Sequence, residues 1–326
     1  MVATTLPAHL THDPIRQFDL RRDLDPVADL IERCFPIHAD PDGQTYVAEM
    51  RKAAREMRLM GWLAGFSDQY PMRSSGFVWE EDGQLIGNLS LIPLQKGGRQ
   101  VHLIANVAVD PAHRRRGIAR KLTQKALNHL QRQQESQVWL QVRDDNPAAI
   151  GLYRSMGFTD QAVRTTWRIR PKDLNAQHGL TNPHIRIRRW EKRDWPAQQA
   201  WLEAAYPANV RWHLPLNLRR FSPGVLQFVA NHMGGESLKH WSVMADGTCR
   251  GVITWQKSNS YAHHLWLAFP EADEIEVLPA SLTQVLRRLP KKHPLSIDYP
   301  AGRCAEALAA LGFESFRTLI WMVHWF

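Results

Sequence analysis

The stretch from Val107 to Leu122, VAVDPAHRRRGIARKL, sets three consecutive arginines, Arg114, Arg115 and Arg116, directly before Gly117. It begins as an apolar strand, breaks at Asp110-Pro111 and resumes as the start of a helix. The first backbone N–H groups of a helix have no partner within it and lie at the positive end of the helix dipole. A glycine in the preceding turn lets a phosphate come close to them. Gly117 and the small Ala119 leave that approach open, and the arginines add charge around it. An exposed basic first turn is otherwise unfavourable for the dipole, so the arrangement calls for a compensating anion or a tolerant surface, and a pyrophosphate would explain the whole of it.

Strands and helices must hold that turn in place. Ile15 to Leu20 reads as a short strand. Asp25-Pro26 opens a helix toward Phe35, with proline in the first turn where its missing N–H costs little. Gln44 to Leu63 reads as a helix, with Val47, Met50, Ala54 and Met57 at spacings of three and four. Phe77 to Glu80 and Leu85 to Ile92 form a hairpin around Asp82-Gly83, and Gly97-Gly98 leads into a strand from Val101 to Val109. Ile118, Leu122, Ala126 and Leu130 line one helix face. A strand from Val138 to Val142, a helix from Pro147 to Met156 and a strand from Val163 to Ile169 follow.

The 326 residues suffice for two domains, and 44% hydrophobic with 22% charged residues is ordinary for a globular chain. No apolar run approaches the ~18 residues of a membrane span. The opening MVATTLPAHLTHDP lacks the basic start and apolar core of a secretory signal. Cys34, Cys249 and Cys304 are few, odd in number and far apart, which points away from disulfides and metal and toward a reducing cytoplasm. A net charge of +9 favours anionic partners. The arginines are not interleaved with aromatics as in single-strand binders, and no helix-turn-helix, zinc-finger or RNA-recognition signature is present. Nucleic acid and membrane are therefore not expected partners.

Pro171 to His184 is polar, carries Pro, Gly and Asn, and has no periodicity, so it reads as a linker. This sets a first domain at 1–172, a linker at 173–184 and a second domain at 185–326. The second domain starts as the first does: IRQFDLRRDLDPVADLIERCFP from Ile15 is echoed by IRIRRWEKRDWPAQQAWLEAAYP from Ile185. Their ends match too, pairing Gly157-Phe158 with Gly312-Phe313. Matching starts and ends indicate two copies of one fold.

VAVDPAHRRRGIARKL followed by DDNPAAIGLYRSMGF resembles the GCN5-related N-acetyltransferase (GNAT) family. Arg114, Gly117 and Ala119 match its Arg/Gln-x-x-Gly-x-Gly/Ala signature. Asn146, Ala149, Leu152, Tyr153, Gly157 and Phe158 match its Asn-x-x-Ala-x-x-Leu-Tyr-x-x-x-Gly-Phe pattern. The resemblance spans roughly Ile15 to Arg170. It implies an α/β fold, here two tandem GNAT folds, each a central mixed sheet flanked by helices, with acetyl-CoA as cosubstrate. By the same resemblance, the backbone of Val107, Ala108 and Val109 would pair with the pantetheine arm. The turn and helix start, Arg114, Arg115, Arg116, Gly117, Ile118, Ala119 and Arg120, would hold the pyrophosphate. Asn146 would sit near the pantetheine arm, and Tyr153 would protonate the departing thiolate, which a phenol near pKa ~10 can do. Many relatives carry a Glu on the strand that ends at Val109. Here Ala105 and Asn106 stand in that region, and the base is left open between His102, the strand's only titratable side chain, and a water chain.

The second copy departs from the pattern. After HHLWLAF it reads PEADEIEVLPASLTQVL, with Glu271, Asp273, Glu274 and Glu276 where the arginine signature would stand. Leu308 replaces Tyr153 and Ala301 replaces Asn146. The expectation is a catalytic first copy and a degenerate second copy whose tryptophans, nine of the thirteen in the chain, serve packing. The expected activity is acetyl transfer from acetyl-CoA to a primary amine, on a small molecule or a protein, by direct attack on the thioester. The alternative is a non-catalytic acyl-CoA-sensing or partner-binding module. A second copy of the chain is kept open as a partner.

Overall fold

The computed structural model describes residues 13–60, 75–175, 182–224 and 237–326. The last three residues of the helix expected from Gln44 to Leu63, and positions 176–181 of the expected linker, lie outside them. The chain divides into two compact units. One comprises residues 1–94, 100–138 and 325–326, and the other residues 95–99 and 139–324.

In the first unit β1 (Ile15–Gln17), β2 (Ser75–Glu81), β3 (Gln84–Lys96) and β4 (Arg99–Val109) lie in that order. β1 runs antiparallel to β2, with Ile15 opposite Trp79, and β2 antiparallel to β3, with Phe77 opposite Leu89. Helix α1 (Leu20–Cys34) starts five residues earlier than Asp25-Pro26 suggests, because Asp19 caps it by accepting from Arg21 N at 2.9 Å. Pro26 therefore lies inside the helix. In the first turn Asp23, 1% exposed, takes both terminal nitrogens of Arg16 at 2.6 and 2.7 Å, which ties α1 to β1. Leu24, Val27, Ala28 and Ile31 of α1 bury against Val47, Met50 and Ala54 of α2 (Pro41–Met60) and against Val78 of β2. Helix α3 (Ile118–Arg132) buries Ile118, Leu122, Ala126 and Leu130, as its spacing predicts.

In the second unit the strand order is β5 (Gln137–Arg143), β12 (Glu314–Trp325), β6 (Thr159–Ile169), β11 (Leu295–Pro300), β10 (His263–Ala268), β9 (Thr248–Gln256), β8 (Leu238–Ala245) and β7 (Ile185–Arg189). The last strands of the two sequence copies are exchanged. β6, from the first copy, lies between β12 and β11 of the second, pairing antiparallel with both. β12, the end of the second copy, lies between β5 and β6 of the first. Among the described residues the helices of this unit are α4 (Pro147–Ser155), α5 (Trp195–Ala205), α6 (Ala208–Arg211), α7 (Glu274–Leu286) and α8 (Ala305–Ala310). Parallel strands β10 and β11 pair only at His263–Leu295 and His264–Ser296. The Arg16–Asp23 tie recurs here: Arg188 of β7 donates to both oxygens of Asp194, at 2.8 and 2.7 Å.

Candidate functional site

In the first unit β4 runs toward the glycine turn but is not a regular strand. Asn106 has φ 50°, a left-handed residue inside a pleated segment, placed immediately before Val107. Ala108 is 1% exposed, whereas Val107 and Val109 are half-buried. The Val109 carbonyl accepts from Arg114 Nε and from Cys34 Sγ, each at 3.3 Å. Asp110 then turns the chain: its side chain accepts from Ala112 N at 3.0 Å, and that N–H, above all, holds its carboxyl below the usual range.

Past this turn Arg115 (φ 63°) and Gly117 (φ 78°) are both left-handed, and Gly117 is the N-cap of α3 with no side-chain cap. A Cβ on Gly117 would meet nothing within 4 Å, so the glycine is required by its backbone angle rather than by crowding. The first helical bond of α3 runs from Lys121 N to Gly117 O at 3.0 Å, which leaves the N–H groups just before Lys121 upstream of the ladder. Turns of this kind direct consecutive N–H groups into an anion-binding concavity. The arginines divide their work. Arg116 donates to both oxygens of Glu81 at 2.7 and 3.0 Å, Arg114 is turned back on Val109, and Arg115 is exposed. The N–H groups of this turn are thus left to the backbone alone, with arginine charge around them.

His102, the candidate base on this strand, is buried beside Glu135. It is 6% exposed, its Nδ1 faces Glu135 Oε1 at 3.1 Å, and burial keeps its pKa below the usual imidazole value. Sequence reasoning missed the polar group beside Val107. Asn106 Nδ2 donates to Tyr46 Oη at 2.8 Å, and Asn88 Nδ2 donates to Asn106 O at 2.9 Å. No sequence pattern joins residues 46, 88 and 106. Only the pairing of β3 and β4 positions and the packing of α2 reveal them.

Asn146 and Tyr153 belong to the second unit, on α4. Asn146 is the N-cap and accepts from Ala149 N at 3.1 Å through Oδ1. Tyr153, seven residues on, lies on the same helix face about two turns away. It is 6% exposed, packs edge-on against Phe158 at 5.8 Å, and burial lifts its pKa to about 12. The phenol is therefore a weaker acid than an ordinary tyrosine.

The degenerate copy has a physical counterpart. The N-terminus of α7 holds Glu274, 2% exposed, which accepts from Tyr299 Oη, from Arg303 and, at 3.4 Å, from Cys304 Sγ. Glu271, by contrast, has an 80% exposed side chain. The turn after α4 repeats after α8. Phe158 N donates to Tyr153 O at 3.1 Å, and Phe313 N donates to Leu308 O at 3.0 Å, with Leu308 fully buried.

Among the described residues no group of three or more His, Cys, Asp or Glu is arranged to hold a metal, and no helix is long and apolar enough to cross a membrane.

Comparison with known proteins agrees with this architecture. Residues 24–158 match the family model described as acetyltransferase (GNAT) family. A [ribosomal protein bS18]-alanine N-acetyltransferase from Escherichia coli (strain K12) is 39% identical over 62 residues, 19% of this chain and 42% of the relative. A mycothiol acetyltransferase from Kocuria rhizophila is 28% identical over 156 residues, 47% of this chain and 48% of that protein. The chain thus spans less than half the length of these curated relatives. A GCN5-related N-acetyltransferase structure from Sphaerobacter thermophilus aligns over 96% of both chains, with a TM-score of 0.55 at 13% identity. That likeness, at this identity, speaks to the fold alone.

Proposed function

We propose that this chain, whose residues 24–158 belong to the acetyltransferase (GNAT) family, is an acetyl-CoA-dependent N-acetyltransferase whose working site is built by its first sequence copy. The observation that carries this reading is the left-handed turn at Arg115 and Gly117, which opens α3 without a side-chain cap directly after a strand interrupted at Asn106. An L-residue in the left-handed region costs about 1 kcal/mol, and Arg115 bears that cost. A phosphate-bearing cosubstrate supplies the compensation. Its pyrophosphate would rest on the N–H groups of Ile118, Ala119 and Arg120, and its arm beside Val107 and Ala108.

The reaction needs little more than placement. The neutral amine attacks the thioester carbon to form the C–N bond, the tetrahedral adduct loses the extra proton on its nitrogen, and the C–S bond breaks to leave the amide and a thiolate that takes up a proton as free thiol. Tyr153 donates its O–H to the sulfur as negative charge develops there. With its pKa near 12, full transfer to a thiolate of pKa ~8.5 is uphill, so the phenol stabilises the leaving group chiefly as a hydrogen-bond donor. Asn146 orders the start of the same helix.

The names of the relatives, both acetyltransferases, support turnover over a purely sensing role. The second copy is proposed to be structural, with Glu274 in the place of a bound anion and Leu308 in the place of the phenol. The first domain is taken as 1–172, the linker as 173–184 and the second domain as 185–326. The test is release of free thiol from acetyl-CoA across a broad panel of primary amines. Amine-dependent release at one cosubstrate site per chain is expected, and no release with any amine refutes the reading.

A further inference from the structure

Asn88 is a costly residue for the fold. It is fully buried on β3; its Nδ2 serves Asn106 O, with a longer 3.3 Å contact to Ser90 Oγ, while its Oδ1 is buried without a partner. A buried acceptor left unpaired costs about 1–3 kcal/mol. Asn106, which it clamps, adds the cost of its left-handed backbone.

The second copy shows that the fold needs neither. Its hairpin turns at Asp246-Gly247 as the first does at Asp82-Gly83, and in both the register slips just before a glycine pair: Trp79–Gly87 in one, Val243–Gly251 in the other. Counting from those glycines, Val252 stands where Asn88 stands, and it is equally buried. Counting back from Pro270 and Pro111, Leu265 stands where Asn106 stands, and Leu265 is not among the positive-φ residues. The polar pair and the irregular strand occur only in the copy that has the phosphate cradle.

The pair also faces a definite side. A Cβ on Gly87 would press on Ile118 and Leu122 of α3, so the next residue, Asn88, points to the opposite face of the sheet. That face carries α2, and from it Tyr46 meets Asn106 Nδ2 at 2.8 Å. The network runs from the fully buried Asn88, through the half-buried Asn106, to the half-buried Tyr46. Its middle member, Asn106, stands one residue before Val107, and Tyr46 lies on the side away from α3.

We propose that Tyr46 is the residue that receives the acceptor amine, held in place by Asn106 and Asn88, and that the acceptor is a weakly basic primary amine rather than a lysine side chain. The inference rests on the acetyltransferase reading above. Tyr46 Oη, already fixed by the Asn106 donor, accepts a hydrogen bond from the amine N–H and aims its lone pair. All three side chains are neutral, and the hydrogen bonds that join them include no carboxylate or imidazole. None of these three side chains takes a proton from an ammonium, so the acceptor proposed is one that arrives already free. At neutral pH an α-amine of pKa ~8 is free far more often than an ε-amine of pKa ~10.4, by a factor of roughly a hundred.

The test uses the full chain with two acceptors, an amino-acid amide and Nα-acetyl-lysine amide, at about pH 7.5. The parent protein should favour the α-amine by roughly a hundredfold in kcat/KM. Tyr46→Phe should raise the amine KM about tenfold while acetyl-CoA affinity stays unchanged. Asn88→Val, which installs the second copy's own residue, should leave the melting temperature unchanged or higher and still lower amine kcat/KM about tenfold. If both variants keep parental amine kinetics, or if the ε-amine is used as well as the α-amine, this inference fails while the acetyltransferase reading stands. If the parent releases thiol with no amine at all, both fail.

Discussion

Arg303 donates through Nε, at 3.1 Å, and through Nη2 to the carboxylate of Glu274, a side chain buried at the first turn of α7. Tyr299 Oη donates to the same carboxylate. A helix N-terminus favours negative charge, and here the protein supplies that charge from its own chain. In the first copy the corresponding helix, α3, begins with Gly117 and no side-chain cap. One copy fills its anion position internally; in the other, on the reading proposed above, the pyrophosphate of acetyl-CoA fills it.

Glu274→Gln should therefore destabilise the protein without creating activity. Removing one charge of a buried pair costs about 3 kcal/mol, at the low end because the Arg303 side chain is 23% exposed. The melting temperature should fall by roughly 5 °C, and calorimetry should still count one acetyl-CoA per chain. A parent protein with two equivalent acetyl-CoA sites would overturn the division between the copies.

Gly117→Glu should abolish acetyl-CoA binding. The backbone there is left-handed, so any side chain strains it, and a carboxylate would stand among the N–H groups meant for the pyrophosphate. Because a Cβ at this position meets no atom within 4 Å, the folded protein should survive the change, which circular dichroism would verify. Unchanged acetyl-CoA affinity in that variant would remove the cradle from the argument.

Tyr153→Phe keeps the ring that packs on Phe158 and removes only the O–H, so acetyl-CoA affinity should hold while turnover falls roughly ten- to a thousandfold. With a pKa of about 12, the donor form persists through the working range. The parent should accordingly show no alkaline loss of kcat from this group below about pH 11. Parental turnover in the variant would mean that water or another group serves the sulfur.

Much of this was legible in the sequence because it is local. The Asp82-Gly83 turn, the apolar face of α3, the break at Asp110-Pro111 and the matched Gly157-Phe158 and Gly312-Phe313 turns each follow from residues a few positions apart. The start of α1 was misplaced because Asp19 is as good a cap as Asp25, and the Asp23–Arg16 tie that decides between them joins a helix to a strand. Long-range facts were hidden for the same reason. An acidic stretch reads as solvated until Tyr299 and Arg303 are seen to close on Glu274 from 25 and 29 residues away. Strand exchange leaves no mark on β6 or β12 themselves, since an alternating strand fits either neighbour. Asn106 looks like an ordinary strand residue until its backbone angle is measured.

A last prediction concerns acid stability. Within the second unit Trp190 Nε1 donates to Gln198 Oε1 at 2.9 Å, and Gln198 Nε2 donates to Thr254 Oγ1 at 3.1 Å. The Thr254 hydroxyl also lies 2.8 Å from His240 Nδ1, a hydrogen bond that the neutral imidazole can make. Burial, with the rings of Trp190 and Phe221 against the imidazole, lowers the His240 pKa from 6.5 to about 4. A depressed histidine means that the unfolded chain binds the extra proton first. Stability from this group is therefore whole above about pH 6.5 and is lost as pH falls to about 4, by up to about 3 kcal/mol. His240→Gln keeps an acceptor for Thr254 but cannot titrate. Its unfolding free energy, measured by denaturant from pH 7 to about 4, should fall less steeply than that of the parent by roughly that amount. Parallel slopes for the two proteins would show that His240 is not held neutral by this chain of donors.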